Sequence, residues 1–132
     1  MSGRLCREWQ QKAEEDYQAA VLLSRKRKSP LLNAVCFHSQ QAAEKYLKAF
    51  LSLKGEHFPK THDLILLKNL CLKQETDFEF VSDLVISLNP YSVEFRYPGE
   101  QATKRDAKTA LAAIKEIREF IRVKLNPADK SA

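Results

Sequence analysis

The sequence predicts an all-α fold, an up-and-down bundle of four to five helices, and three observations lead there. Only 3 glycines occur in 132 residues, so the turn punctuation that an all-β fold requires is missing. Long stretches are rich in Ala, Leu, Lys, Glu and Gln, the residues that favour helix. Within them apolar residues recur at spacings of three and four, the mark of an amphipathic helix. A chain of this length makes one domain, expected over residues 1–125, followed by a small polar tail over 126–132 that reads as frayed. A domain of this size buries roughly two-thirds of its unfolded surface, enough for a core without covalent staples.

The first helix is expected from about Leu5 to Ser24, with Trp9, Ala13, Tyr17, Ala20 and Leu23 as its apolar stripe. Arg25-Lys26-Arg27-Lys28 put cations at its C-terminal end, and Ser29-Pro30 breaks the run. The second segment, Leu31 to Lys54, is the most apolar. Val35, Ala42, Tyr46, Ala49 and Leu53 form one stripe, and Phe37, Ala43, Leu47, Phe50 and Leu51 widen it, as in a central helix with several neighbours. Its polar residues His38, Gln41, Lys45, Lys48 and Ser52 align along one side of the cylinder.

Gly55 ends that helix, and Gly55 to Lys60 form a loop. Thr61 is placed to cap a short third helix, with Asp63 in its first turn and Leu64, Leu67 and Leu70 on its apolar face. After a break near Gln74-Glu75-Thr76, a fourth helix is expected from Asp77 to Leu88, carried by Val81, Leu84, Val85 and Leu88 and stopped by Asn89-Pro90. Residues 89–101, NPYSVEFRYPGEQ, are irregular. The last helix, Thr103 to Lys124, buries Ala107, Ala110, Leu111, Ile114, Ile117 and Ile121.

Cys6, Cys36 and Cys71 are odd in number, widely spaced and set in apolar patterns, which suits free thiols in a reducing cytosol. Residues 1–11 are polar and lack a signal peptide's apolar core, and no apolar run reaches the roughly 20 residues of a membrane span. A cytoplasmic protein without membrane partners is therefore expected. The net charge of +5 is compatible with a phosphate-bearing partner.

The loop from Tyr91 to Pro98 is the strongest candidate site. It gathers Tyr91, Phe95, Arg96 and Tyr97 just before a helix start, where arginine offers a planar fork for phosphate and the rings can stack on a base. Alternatively the aromatics plug the end of the bundle, and Arg96 pairs with Glu94 or a helix carboxylate. The strip His38, Gln41, Lys45 and Lys48 lines a polar groove or a homodimer seam, or is an ordinary solvated face with a Glu44–Lys48 pair. His38, His57 and His62 match no familiar metal-ligand spacing, so no metal is expected. Arg25 to Lys28 can meet RNA through counterion release or stay solvated. No nucleophile constellation and no phosphate-cradling glycine loop is present, and no cofactor is implied.

Four segments in order carry a resemblance: Trp9, Ala13, Asp16 and Ala20; HSQQAAEKYLKAFL over residues 38–51; Lys60-Thr61-His62-Asp63-Leu64; and Tyr91-x4-Arg96-Tyr97-Pro98. Together they resemble the HEPN domain family, and the small stand-alone bacterial and archaeal members above all, from about Arg7 to Val123. The resemblance implies a helical bundle that commonly dimerises and is often encoded beside a minimal nucleotidyltransferase, its partner in a toxin–antitoxin-like pair. It also implies nucleotide binding, proposed for the family, and metal-independent RNA cleavage, found in many members. Those ribonucleases carry an Arg-x4-6-His motif near the start of the last helix. Arg96 matches the arginine, but Gln101, Ala102 and Thr103 stand where histidine should be. The general acid–base partner best suited to neutral pH is thus absent.

The expectation is a non-catalytic HEPN-type module that binds a nucleotide such as ATP, a minimal nucleotidyltransferase, or both. Its site would use Arg96, Tyr91, Tyr97, Lys45 and His62, with no catalytic residue assigned. The alternatives are a HEPN ribonuclease toxin acting on RNA with a displaced acid–base residue, a role open to His62 only where folding brings it near Arg96, and a purely structural dimerisation domain.

Overall fold

A computed structural model describes residues 2–126; Met1 and residues 127–132, and with them most of the expected polar tail, lie outside the described residues. Five α-helices follow in order: α1 (Ser2–Ser24), α2 (Leu32–Leu53), α3 (Leu64–Gln74), α4 (Ser82–Leu88) and α5 (Lys104–Leu125). Short 3-10 turns at Thr76–Val81 and Asn89–Ser92 flank α4. Among the described residues there is no strand.

Local chemistry explains the boundaries. Asp63, rather than Thr61, caps α3: its carboxylate accepts from the Ile65 and Leu66 amides, while the Thr61 hydroxyl accepts from the Asp63 amide. At the other end of the loop, Gly55 adopts φ +69° just past α2. The Glu56 amide there donates to the Leu51 carbonyl at 2.9 Å, a 6→1 helix ending that a left-handed residue makes possible. Thr103 and Asp106 cap α5 reciprocally, each side chain bonding the other's amide at 3.0 and 2.9 Å. The fourth segment departs from a single helix. Its first turn, Thr76–Val81, is a 3-10 helix, and this rotates Phe78 into the core alongside Val81, Val85 and Leu88.

α2 is the hub and packs on α1, α3, α4 and α5. It runs antiparallel to α1, since Lys48 meets Trp9, Tyr46 meets Glu14 and His38 meets Asp16. At its start Asn33 accepts from the Ala102 amide at 2.8 Å, which sets the beginning of α5 beside the beginning of α2. One buried cluster joins Tyr46, Leu47 and Phe50 of α2 to Leu64 and Leu67 of α3, Phe78, and Ile114, Ile117 and Ile121 of α5. All three cysteines are buried and free. Burial pushes the Cys36 thiol up to about 11, far from the thiolate range in which cysteine reacts. Phe37, expected on the apolar surface, lies at the protein's exterior, and Leu111 is only partly covered.

At the edge of this core a part-buried polar network joins α1, α2 and α5. The buried Tyr46 hydroxyl donates to Glu14 of α1, and Arg118 of α5 grips the same carboxylate through Nε and Nη2, the latter at 2.6 Å. The guanidinium also lies over the Tyr17 ring, 4.5 Å from its centre. Burial raises the Glu14 pKa, but the hydrogen bonds from Arg118 and Tyr46 outweigh it and hold the carboxyl below its ordinary value. A depressed folded-state pKa contributes stability above the unfolded value and loses it as pH falls through the folded one. Urea titrations of wild type and Glu14→Gln should therefore differ most at pH 7 and converge as pH falls to 3. The wild type loses the Glu14 contribution below about pH 4.3, the unfolded glutamate value, and the variant has none to lose. Parallel curves would show that the network adds nothing.

Candidate functional site

The polar side of α2 is not a solvated face. α1 and the loop before α3 cover it, and two carboxylates sort its charges into a repeated arrangement. Asp16 of α1, set between the buried Ala13 and Ala20, accepts from Lys45 and lies 2.8 Å from His38 Nδ1. Glu44 of α2 accepts from Lys48 at 2.9 Å and lies 2.8 Å from Nδ1 of His62. Each carboxylate thus holds one ammonium and one imidazole. Glu44 and Lys48 form the expected i, i+4 pair, but their side chains are only 3% and 7% exposed. The Lys48 ammonium also sits 5.1 Å from the centre of the Trp9 ring, with Phe58 on the same side at 6.0 Å.

His62 is placed differently from its partners. Its backbone carbonyl accepts from Gln40 at 3.2 Å, which pins the loop to α2, while its ring is 72% exposed. With the proton on Nδ1 facing Glu44, the Nε2 lone pair is left for solvent, the orientation a general base needs. Among the described residues no three His, Cys, Asp or Glu side chains form a metal-holding group.

The second group lies in the segment between α4 and α5. Tyr91 is half-buried and stacks on Phe95, ring centres 5.8 Å apart. Phe95 has φ +67°, a conformation in which a bulky side chain is strained by about 1–3 kcal/mol. That turn aims the next two residues outward. Arg96 is exposed; its Nη2 donates to the Ser92 carbonyl of its own turn at 2.5 Å. Among the described residues no carboxylate pairs with it, so the expected alternative of a Glu94 or helix-carboxylate pair is not formed. Tyr97 is 70% exposed. Tyr91 and Phe95 do pack against the core as a plug, whereas Tyr97 does not.

The five residues singled out from the sequence therefore fall into two groups. Tyr91, Arg96 and Tyr97 share the loop, while Lys45 and His62 belong to neighbouring clusters on the polar side of α2. Asp16 and Glu44 organise the second group and were not singled out as site residues, whereas Lys48 was read as part of the polar strip. One signal was available: charges inside the most apolar helix, and an aspartate three and four residues from buried alanines, imply partners.

These features define a class: a small helical-bundle domain whose chemistry is carried on the face of a central helix and one pre-helix loop. The HEPN domain model matches residues 6–124, and the chain belongs to the HEPN domain family. Two solved structures share the fold. TT1696 from Thermus thermophilus is 25% identical, with a TM-score of 0.74 over 90% of this chain and 97% of its own. ST0689, an archaeal HEPN homologue, is 20% identical, with a TM-score of 0.71 over 91% of this chain and 97% of its own. No curated protein matches the chain. Among the described residues no helix is long and apolar enough to cross a membrane.

Proposed function

We propose that this chain is a non-catalytic HEPN module that binds a nucleotide through Arg96, with Tyr91, Tyr97, Lys45 and His62 contributing. In this reading it acts in the cytoplasm as a homodimer paired with a minimal nucleotidyltransferase in a two-component, toxin–antitoxin-like system. The observation that carries the reading is the exposed Arg96 guanidinium, bonded only to a carbonyl of its own turn and followed by an exposed tyrosine. An arginine without a carboxylate keeps its fork for a phosphate, and the adjacent ring offers a base a stacking surface. Calorimetric titration with ATP and the other ribonucleotides should give saturable binding. Removing one charged hydrogen-bond partner costs about 1.5–3 kcal/mol, so Arg96→Ala should weaken it about ten- to hundredfold. Equal binding by the variant would move the site elsewhere. No heat with any nucleotide would leave the nucleotidyltransferase as the partner to capture. If Arg96→Ala also left that capture within about 0.5 kcal/mol of wild type, the purely structural reading would be favoured.

A second reading, RNA cleavage with a displaced acid–base residue, is favoured by one feature. His62 is an exposed imidazole backed by a buried carboxylate, the arrangement a proton shuttle requires. It predicts RNA cleavage by the pure protein that His62→Gln abolishes. RNA left intact after long incubation would exclude it.

A further inference from the structure

We propose a separate binding site for an anionic amphiphile, a single aliphatic chain ending in a carboxylate or phosphate, at the junction of the α1–α2 turn with the start of α5. A cavity of about 540 Å³ opens there, within the range of small-molecule sites. Its floor is aliphatic: Leu23, Leu32, Val35 and Leu111 line it. The three leucines among these are only partly covered by the rest of the chain, so the bundle leaves their apolar surface facing the cavity. Leu111 in particular belongs to the apolar stripe of α5, yet no helix covers it fully.

The rim is cationic. Lys26, Arg27, Lys104 and Lys108 border the same opening, and no carboxylate lines it. Lys26 folds onto the carbonyls of Lys28 and Ser29, which leaves its charge in place without an anion. Among the described residues Arg27, Lys104 and Lys108 have no ion-pair partner. Lys104 and Lys108 stand one turn apart, and like charges at that spacing repel. Lys104 also opens the first turn of α5, where the helix dipole disfavours cations. The protein carries this electrostatic cost without relieving it internally, and a bound anion would relieve all of it together.

The lining decides the ligand's body as well as its head. It holds no aromatic ring for a base to stack on, and Ser24 is its single neutral polar side chain. A base would leave its polar edge unpaired, whereas an alkyl chain needs only apolar contact. Of the run Arg25 to Lys28, Lys26 and Arg27 thus border a compact pocket. The site shares no residue with the Arg96 loop, so the two stand or fall separately.

The test uses the full chain and calorimetric titration below micelle-forming concentrations, with decanoate and decyl phosphate as probes. Saturable binding with one site per chain is expected for at least one of them. Decanol, acetate and inorganic phosphate should each bind about tenfold more weakly or worse, since each lacks one half of the recognition. Lys104→Glu combined with Lys108→Glu changes only exposed positions, so folding is preserved. That variant should lose about tenfold or more in affinity, while Arg96→Ala should bind the probes as wild type does. Saturable binding by neither probe, or undiminished binding by the double variant, would overturn the proposal.

Discussion

Glu44→Ala is expected to destabilise the protein by about 3–5 kcal/mol, because it strands a buried ammonium rather than merely removing a contact. The Lys48 side chain is 7% exposed, Glu44 is its carboxylate, and its ammonium lies 5.1 Å and 6.0 Å from the centres of the Trp9 and Phe58 rings. Cation–π attraction contributes about 0.5–2 kcal/mol and cannot replace a full counter-charge. The pair itself is worth far less than its breakage costs, since desolvation of both ions offsets most of their attraction. Glu44→Leu combined with Lys48→Met should therefore regain most of the loss, or even exceed wild type. Urea unfolding at pH 7 of the single and double variants checks this. A loss below about 1 kcal/mol for Glu44→Ala would mean that Lys48 escapes to water when unpaired. The same substitution frees His62 Nδ1, so any activity that depends on an oriented imidazole should fall in parallel with His62→Gln.

Phe78→Ala should cost about as much, 3–5 kcal/mol, by a different mechanism. The ring is fully buried, 4.7 Å from the centre of Phe50 and 5.0 Å from that of Phe120. It joins the turn before α4 to both α2 and α5, so truncation opens a cavity where three elements meet. Total stability of domains is only about 5–15 kcal/mol, and the melting temperature should drop on the order of 10–20 °C. A fall of only a few degrees would show that α4 and its leading turn can collapse onto the gap.

Helix positions were largely legible because their signals are local. The spacing of Trp9, Ala13, Tyr17 and Ala20 marked α1, and the periodic isoleucines of residues 114–121 marked α5. Boundaries hinged on which side chain reached an amide. Asp63 won over Thr61 at α3 because its carboxylate spans to two free N–H groups, whereas the Thr61 hydroxyl is taken by the Asp63 amide. Phe78 escaped the helical pattern because a 3-10 turn advances about 120° per residue, so a pattern judged at about 100° places the ring on the wrong side. The Arg96 loop stood out by composition alone, with three aromatic residues and an arginine within seven positions.

The sequence by itself determined the helical class, the order of the elements, the hub role of α2 and the membership of the HEPN family. These follow from periodicity, caps and ordered motifs, all properties of neighbours along the chain. Only the tertiary structure decided which charges meet. Asp16 with His38 and Lys45, Glu44 with His62, and Glu14 with Tyr46 and Arg118 join residues 18 to 104 positions apart. Periodicity states which side chains share a face of a helix, but not which face lies opposite. The polar strip of α2 was equally consistent with water until α1 closed over it, and the cationic pocket exists only because the first turns of α5 come to rest against the α1–α2 turn.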